Sequence, residues 1–200
     1  LTFDGFSNVD NSVEPANIAP VAVVNNGTIS NIVVKNINLI AERAAVACVV
    51  GTNNGVVENT SVANVTLKGK YAGGVVGVNN GNVVNAMVYN SALEGVYVGG
   101  IVAKSSGTID KTSVFNTDII GSCLGGIVGV TEEGTILHST SAAVLDSRNC
   151  TLETGKQPYM GGLVGLANGV DIQYSSAIAD TAYYLVPWLL PVAHIPSPAH

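Results

Sequence analysis

The stretch AGGVVGVNNGNVVNAMVYN, residues 72–90, carries a glycine pair into an apolar run, closes that run with Asn-Asn-Gly, and opens a second run ending in Asn. Nearly the same phrase returns as VGGIVAKSSGTIDKTSVFN from Val98, LGGIVGVTEEGTILHSTSA from Leu124 and MGGLVGLANGVDIQYSSA from Met160. The pairs Gly73-Gly74, Gly99-Gly100, Gly125-Gly126 and Gly161-Gly162 are spaced by 26, 26 and 36 residues, so the last interval contains an insertion. Further back, Ala47-Cys48-Val49-Val50-Gly51 stands 26 residues before Gly73-Gly74-Val75-Val76-Gly77, and Asn25-Asn26-Gly27 returns as Asn53-Asn54-Gly55 and Asn79-Asn80-Gly81. About six repeats result. A fixed period in the twenties marks a solenoid, in which each repeat buries its apolar face only by stacking on its neighbours.

The second half of each repeat keeps a strict internal spacing: Ile29, Val34, Leu39; Val57, Val62, Leu67; Val83, Val88, Leu93; Ile109, Val114, Ile119. These residues are expected to form inward columns. They are β-branched or aliphatic, and Gly or Asn breaks the runs after a few residues, which favours strands over helices. The expected fold is all-β: a parallel β-solenoid of about six coils, with roughly 26 residues and about three short strands per coil, neighbouring coils lying about 4.8 Å apart. Residues 20–180 form the solenoid, residues 1–19 an N-terminal cap, and residues 181–200 an apolar, proline-rich tail.

Stacking predicts two side-chain ladders. Asn36, Asn64, Asn90 and Asn116 each follow the first inward residue of their coil by seven positions, where Asn suits a left-handed turn and amides bond along the cylinder. Tyr71, Tyr97, Cys123 and Tyr159 precede the glycine-rich strand and form the second. Both are read as structural, keeping the coils in register. The glycine pair lets the chain turn sharply or lets another backbone approach closely.

At these residues the chain resembles the GLUG repeat family: GGVVG, GGIVA, GGIVG and GGLVG match its small-Gly-aliphatic-Val-Gly phrase, and NNG-x-[VI]-x-N is similar to its continuation. Cys48 and Ala103 depart from the pattern. The resemblance implies a β-solenoid spacer in a secreted or cell-surface protein, often an adhesin, lying outside any catalytic domain.

Composition narrows the partners. The chain of 200 residues is 47% hydrophobic with only 11% charged residues, which suits a large buried interior rather than disorder. Eight basic residues, a net charge of -6 and no basic cluster argue against nucleic acid and anionic membrane surfaces. The most apolar stretch, Tyr183 to Ile195, is broken by Pro187 and Pro191, so no membrane span is expected. The start at Leu1, with no leader pattern, reads as a processed product or fragment.

The long interval places ten extra residues in a polar loop within 146–158. Cys150 in this loop and Cys123 in the coil it leaves either form a disulfide or remain thiols, while Cys48 reads as a buried thiol. Three cysteines without C-x-x-C spacing do not suggest zinc, and no cofactor is expected. Asn26, Asn59, Asn64 and Asn149 begin glycosylation sequons, although a chain rich in Asn and Thr generates such triplets by chance.

For catalysis the one paired-carboxylate candidate is Glu58 with Asp110, in one column two coils apart and about 9.6 Å from each other at the strand spacing, near the separation used by inverting glycosidases. Val84 lies between them, no basic or histidine neighbour is expected, and His138 reads as a solvated surface residue. The tail holds Tyr183, Tyr184, Trp188, Leu189 and Leu190, and it either caps its own solenoid or docks on a neighbouring copy. The preferred expectation is a non-catalytic subunit or segment of an extracellular fibre or adhesin that assembles with itself. The alternatives are a module binding a surface glycan or host protein through the 146–158 loop, and, remotely, a polysaccharide-degrading enzyme.

Overall fold

The inward residues recur every five positions although side chains of a flat strand alternate every two. Asparagine resolves the mismatch. Asn31 and Asn36 adopt φ of 57° and 56°, and the same corners recur at Asn59 and Asn64, and at Asn85 and Asn90. Each left-handed residue bends the ribbon and leaves two successive side chains outside, so the next inward residue shifts phase by one. Ile32, Val34, Ile37 and Leu39 are all buried, while Asn31, Val33, Asn36 and Asn38 are exposed.

The computed structural model describes residues 1–12, 17–148, 158–178 and 180–182. Six four-residue strands, Ala22–Asn25, Val50–Asn53, Val76–Asn79, Val102–Ser105, Val128–Thr131 and Val164–Ala167, stack in parallel as one sheet and bound about five turns of a parallel β-solenoid. The expectation of about six coils therefore counts strands rather than completed turns. The rest of each coil forms a second, wrapped parallel sheet, and in the third coil a single bent ribbon, Asn82–Gly99, runs through both corners. The separate short strands expected there are joined, because a left-handed corner bends the ladder without interrupting its pairing.

Register follows the sequence columns. Ile29 pairs with Val57, Val57 with Val83, Val83 with Ile109, Ile109 with Ile136 and Ile136 with Ile172. The Leu39, Leu67, Leu93, Ile119 and Leu145 column is fully buried. Each such side chain contributes about 1.5–3 kcal/mol through removal from water.

Two irregularities keep the rows aligned. Glu42 and Arg43 bulge out between Ala41 and Ala45, which makes the first coil longer. In the fifth coil the turn Thr131 to Thr135 is one residue longer than its predecessors, and the ribbon then loses a residue where Phe115 and Asp118 pair with Ala142 and Val144. The residue lost is the counterpart of Asn116. That coil runs straight there, with Ser141, Ala143 and Leu145 buried in simple alternation.

At the N-terminus Thr2–Asp4 and Ser7–Val9 pair with residues of the first full coil and extend its ladder. At the other end Asp180–Ala182 pairs with Val144–Asp146, so ladder pairing reaches Ala182.

Lys111, His138 and Tyr174 occupy the corner column of Asn31, Asn59 and Asn85 with φ of 54°, 46° and 52°. Lysine gains nothing from a left-handed backbone that asparagine tolerates. Lys111→Asn is expected to stabilise the protein by about 0.5–1 kcal/mol, seen as a raised denaturation midpoint; a lowered midpoint would contradict the corner argument.

Candidate functional site

The strongest polar feature lies inside the rod. Asn25, Asn53 and Asn79, the first asparagines of the three Asn-Asn-Gly turns, are buried in one column continued by Ser105 and Thr131. Asn25 Nδ2 donates to Asn53 Oδ1 at 2.7 Å, Asn53 Nδ2 to Asn79 Oδ1 at 2.8 Å, and Asn79 Nδ2 to Ser105 Oγ at 3.2 Å. Each asparagine also closes its own turn, as when the Gly55 amide donates to Asn53 Oδ1 at 3.2 Å and Asn53 Nδ2 donates to the Gly55 carbonyl at 3.2 Å. The ladder ends at Thr131, whose buried hydroxyl has no partner. Sequence reasoning used these asparagines as repeat markers and missed their burial; their position just after an inward valine run was the available signal.

The exposed asparagines form further columns. Asn36 Nδ2 donates to Asp4 Oδ1 at 2.7 Å, Asn64 Nδ2 to Asn36 Oδ1 at 3.5 Å and Asn116 Nδ2 to Asn90 Oδ1 at 2.6 Å. The bond from Asn36, followed by Lys35, holds the Asp4 carboxyl below its ordinary range. A second corner column pairs Asn85 with Asn59 at 2.7 Å. At the turns Asn54 donates to Asn26 at 2.8 Å and Asn80 to Asn54 at 2.9 Å. Of the sequon asparagines, Asn26, Asn59 and Asn64 all belong to these exposed columns, and Asn149 lies outside the described residues. For Asn64 the amide nitrogen that would carry a glycan is the one bonded to Asn36.

The aromatic column is built as stacked rings. Tyr71 and Tyr97 lie 5.0 Å apart and nearly parallel, and Cys123 separates them from Tyr159 in register. Cys123 Sγ donates to the Gly129 carbonyl at 3.4 Å, and burial raises its thiol pKa to about 11. Cys48 is fully buried and its thiol is likewise pushed up by desolvation. Neither thiol carries the depressed pKa of a reactive cysteine. Cys150 and most of the insertion lie outside the described residues, as do Tyr183, Tyr184, Trp188, Leu189 and Leu190.

The carboxylate column departs from expectation at one point. Val84 pairs with both Glu58 and Asp110, which places the two acids two coils apart. Asp110 does have basic neighbours: His138 Nδ1 lies 2.8 Å from its Oδ1, and Lys111 Nζ 3.8 Å from its Oδ2. Tyr174 stacks on the His138 ring at 5.2 Å. His138 stands in the corner column of Lys111 on the coil after Asp110, so the contact is a diagonal one between neighbouring columns, which a search within single columns does not find. The pair sits on an outer corner with the histidine side chain half exposed, and among the described residues no group of three or more metal-ligating side chains is found. Two shallow grooves flank the strip Ala86–Tyr89, one reaching Asn59, Asn85 and Lys111, the other Asn64, Asn90 and Asp118.

Exposed large apolar residues are scattered along the outer faces of the body, at Val33, Val96, Phe115 and Val144, and are more numerous at the two ends. Phe6, Val9, Val23 and Val24 lie on the first coils, and Tyr159, Ile172, Tyr174 and Ile178 on the last. Ile172 belongs to an inward column yet is 40% exposed, whereas Ile136, its neighbour one coil earlier, is 1% exposed. Among the described residues, strands Ala22–Asn25 and Val164–Ala167 are each paired on one side only.

No protein-family model matches the chain, and no curated protein resembles it. The parallel β-solenoid implied by the GLUG likeness is present, while membership of that family stays a resemblance carried by the quoted motifs.

Proposed function

We propose that this chain is a non-catalytic structural rod, a subunit or segment of an extracellular fibre or adhesin, that joins copies of itself through its solenoid ends. The observation carrying this reading is the contrast between a sealed body and open ends. Along the body the inward apolar columns are buried by the next coil, while at the last coil Ile172 is 40% exposed and, among the described residues, the Val164–Ala167 strand is paired on one side only. Such an edge is a template for another strand. A head-to-tail contact of this kind does not close and builds a filament.

Several features support a passive rod. Neutral amide columns line the corners of the first coils, the two described thiols are buried, and ion pairs such as Lys68 between Glu42 and Glu94 at 3.0 and 3.1 Å tie successive coils together. The apolar residues 183–200 follow directly from the last paired strand and supply material for the same contact. The Asp110 and His138 pair is read as a surface bond between coils.

Electron microscopy of the full chain, of Ile178→Lys and of a chain ending at Ala182 tests the proposal. Filaments or end-joined rods from the full chain, shortened in the two variants, are expected. Single short rods from the full chain at every concentration would refute self-assembly.

A further inference from the structure

The sequence contains four Asn-Gly steps, Asn26-Gly27, Asn54-Gly55, Asn80-Gly81 and Asn168-Gly169. In such a step the backbone nitrogen of glycine can attack the preceding side-chain amide, because no side chain shields the nitrogen. Three of the four are locked. Gly27 N donates to Asn25 Oδ1 at 3.1 Å, Gly55 N to Asn53 Oδ1 at 3.2 Å, and Gly81 N to the Asn53 carbonyl at 3.1 Å. Their side-chain amides are tied as well, since Asn26 Oδ1 accepts from Asn54, Asn54 Oδ1 from Asn80, and Asn80 Oδ1 from Ser106 Oγ.

The fourth step has none of these restraints. Ala167 stands in the column of Asn25, Asn53 and Asn79, so no side-chain oxygen reaches back to hold the next turn. The turn from Ala167 to Asp171, like Thr131 to Thr135 before it, is one residue longer than those of the first four coils, and Gly169 adopts φ of 69°. Asn168 and Gly169 are both exposed, and neither the Asn168 side chain nor the Gly169 amide makes a hydrogen bond to a described residue.

We infer that Asn168 is a site of spontaneous deamidation, singled out from three chemically identical steps because neither its side chain nor the Gly169 amide has the bonds that hold the other three among the described residues. The Gly169 nitrogen, having lost its proton to base, bonds to Asn168 Cγ. The Cγ–Nδ2 bond breaks and ammonia leaves with a proton from the medium. Water then opens the five-membered imide at either carbonyl, leaving aspartate or isoaspartate. The net change is loss of ammonia, gain of water and one new carboxylate, beside the Glu132 and Glu133 turn of the preceding coil. The added charge is placed at the open end of the rod, where it opposes the approach of another acidic chain.

The test is peptide mapping by mass spectrometry of the full chain held at pH 8.5 and 37 °C, natively and in urea, following the gain of about 1 Da at each Asn-Gly step. In the native protein Asn168 is expected to convert at least about tenfold faster than Asn26, Asn54 or Asn80, since those sites must first break two or more hydrogen bonds. In urea the four rates should converge. Equal native rates would overturn the inference, and so would a lead for Asn168 that persists unchanged in urea, because the preference would then belong to local sequence. Neither arm depends on whether the rods assemble.

Discussion

Asn53→Ala is expected to destabilise the protein by about 3 kcal/mol, although alanine is smaller and equally at home in a buried site. The side chain removed satisfies neighbours in three coils: it accepts from Asn25 Nδ2, donates to Asn79 Oδ1 and to the Asn82 carbonyl, and exchanges bonds with the backbone of Gly55. Its loss leaves the buried Asn79 Oδ1 and the part-buried Gly55 amide without their partners, and a buried group left unpaired costs about 1–3 kcal/mol. Thr131→Val provides the internal comparison. The Thr131 hydroxyl is buried and already unpaired, so replacing it with a methyl of the same shape should be neutral or stabilise by up to about 1 kcal/mol. Chemical denaturation of both variants measures the difference. If Asn53→Ala costs no more than Thr131→Val, the ladder does not hold the coils together.

The second large effect is expected at the glycine pair. A Cβ at Gly100 would meet the Gly126 carbonyl oxygen of the next coil and lie 2.7 Å from Val114 Cγ2, so backbone and core would both have to move. Gly100 also donates its amide to the Gly125 carbonyl at 3.2 Å, which fixes the distance between the coils at that corner. Gly100→Ala should therefore cost about 3 kcal/mol or more, and Gly100→Val should prevent recovery of folded protein. At Gly27 the space is open and φ is not left-handed, so Gly27→Ala should stay within about 0.5 kcal/mol of the parent. A melting temperature for Gly100→Ala as close to the parent as that of Gly27→Ala would contradict the account. Cys48 occupies the same column in the first coil with its side chain fully buried.

These two sites also mark what could be read without coordinates. The 26-residue recurrence, the inward Ile29, Val34 and Leu39 pattern and the Gly-Gly steps were legible because every coil must repeat the same packing, and repetition multiplies a weak local signal. The corner asparagines Asn36, Asn64 and Asn90 were legible for the same reason, since few residue types accept a left-handed backbone. Features that break the repeat were not. The link between Asp110 and His138 joins neighbouring columns on a diagonal, and the Asn116 column ends because the next coil lacks the counterpart residue between Ala142 and Val144.

By itself, then, the sequence determined the solenoid, its parallel strands and the residues lining its interior, because period and apolar spacing are properties of the chain. Tertiary structure alone decided which asparagines are buried and which face water. Asn53 and Asn54 are adjacent and chemically identical, yet one is sealed among three coils and the other stands on the surface. That choice is made by the direction of the turn relative to the stack, and only the stacked coils define it.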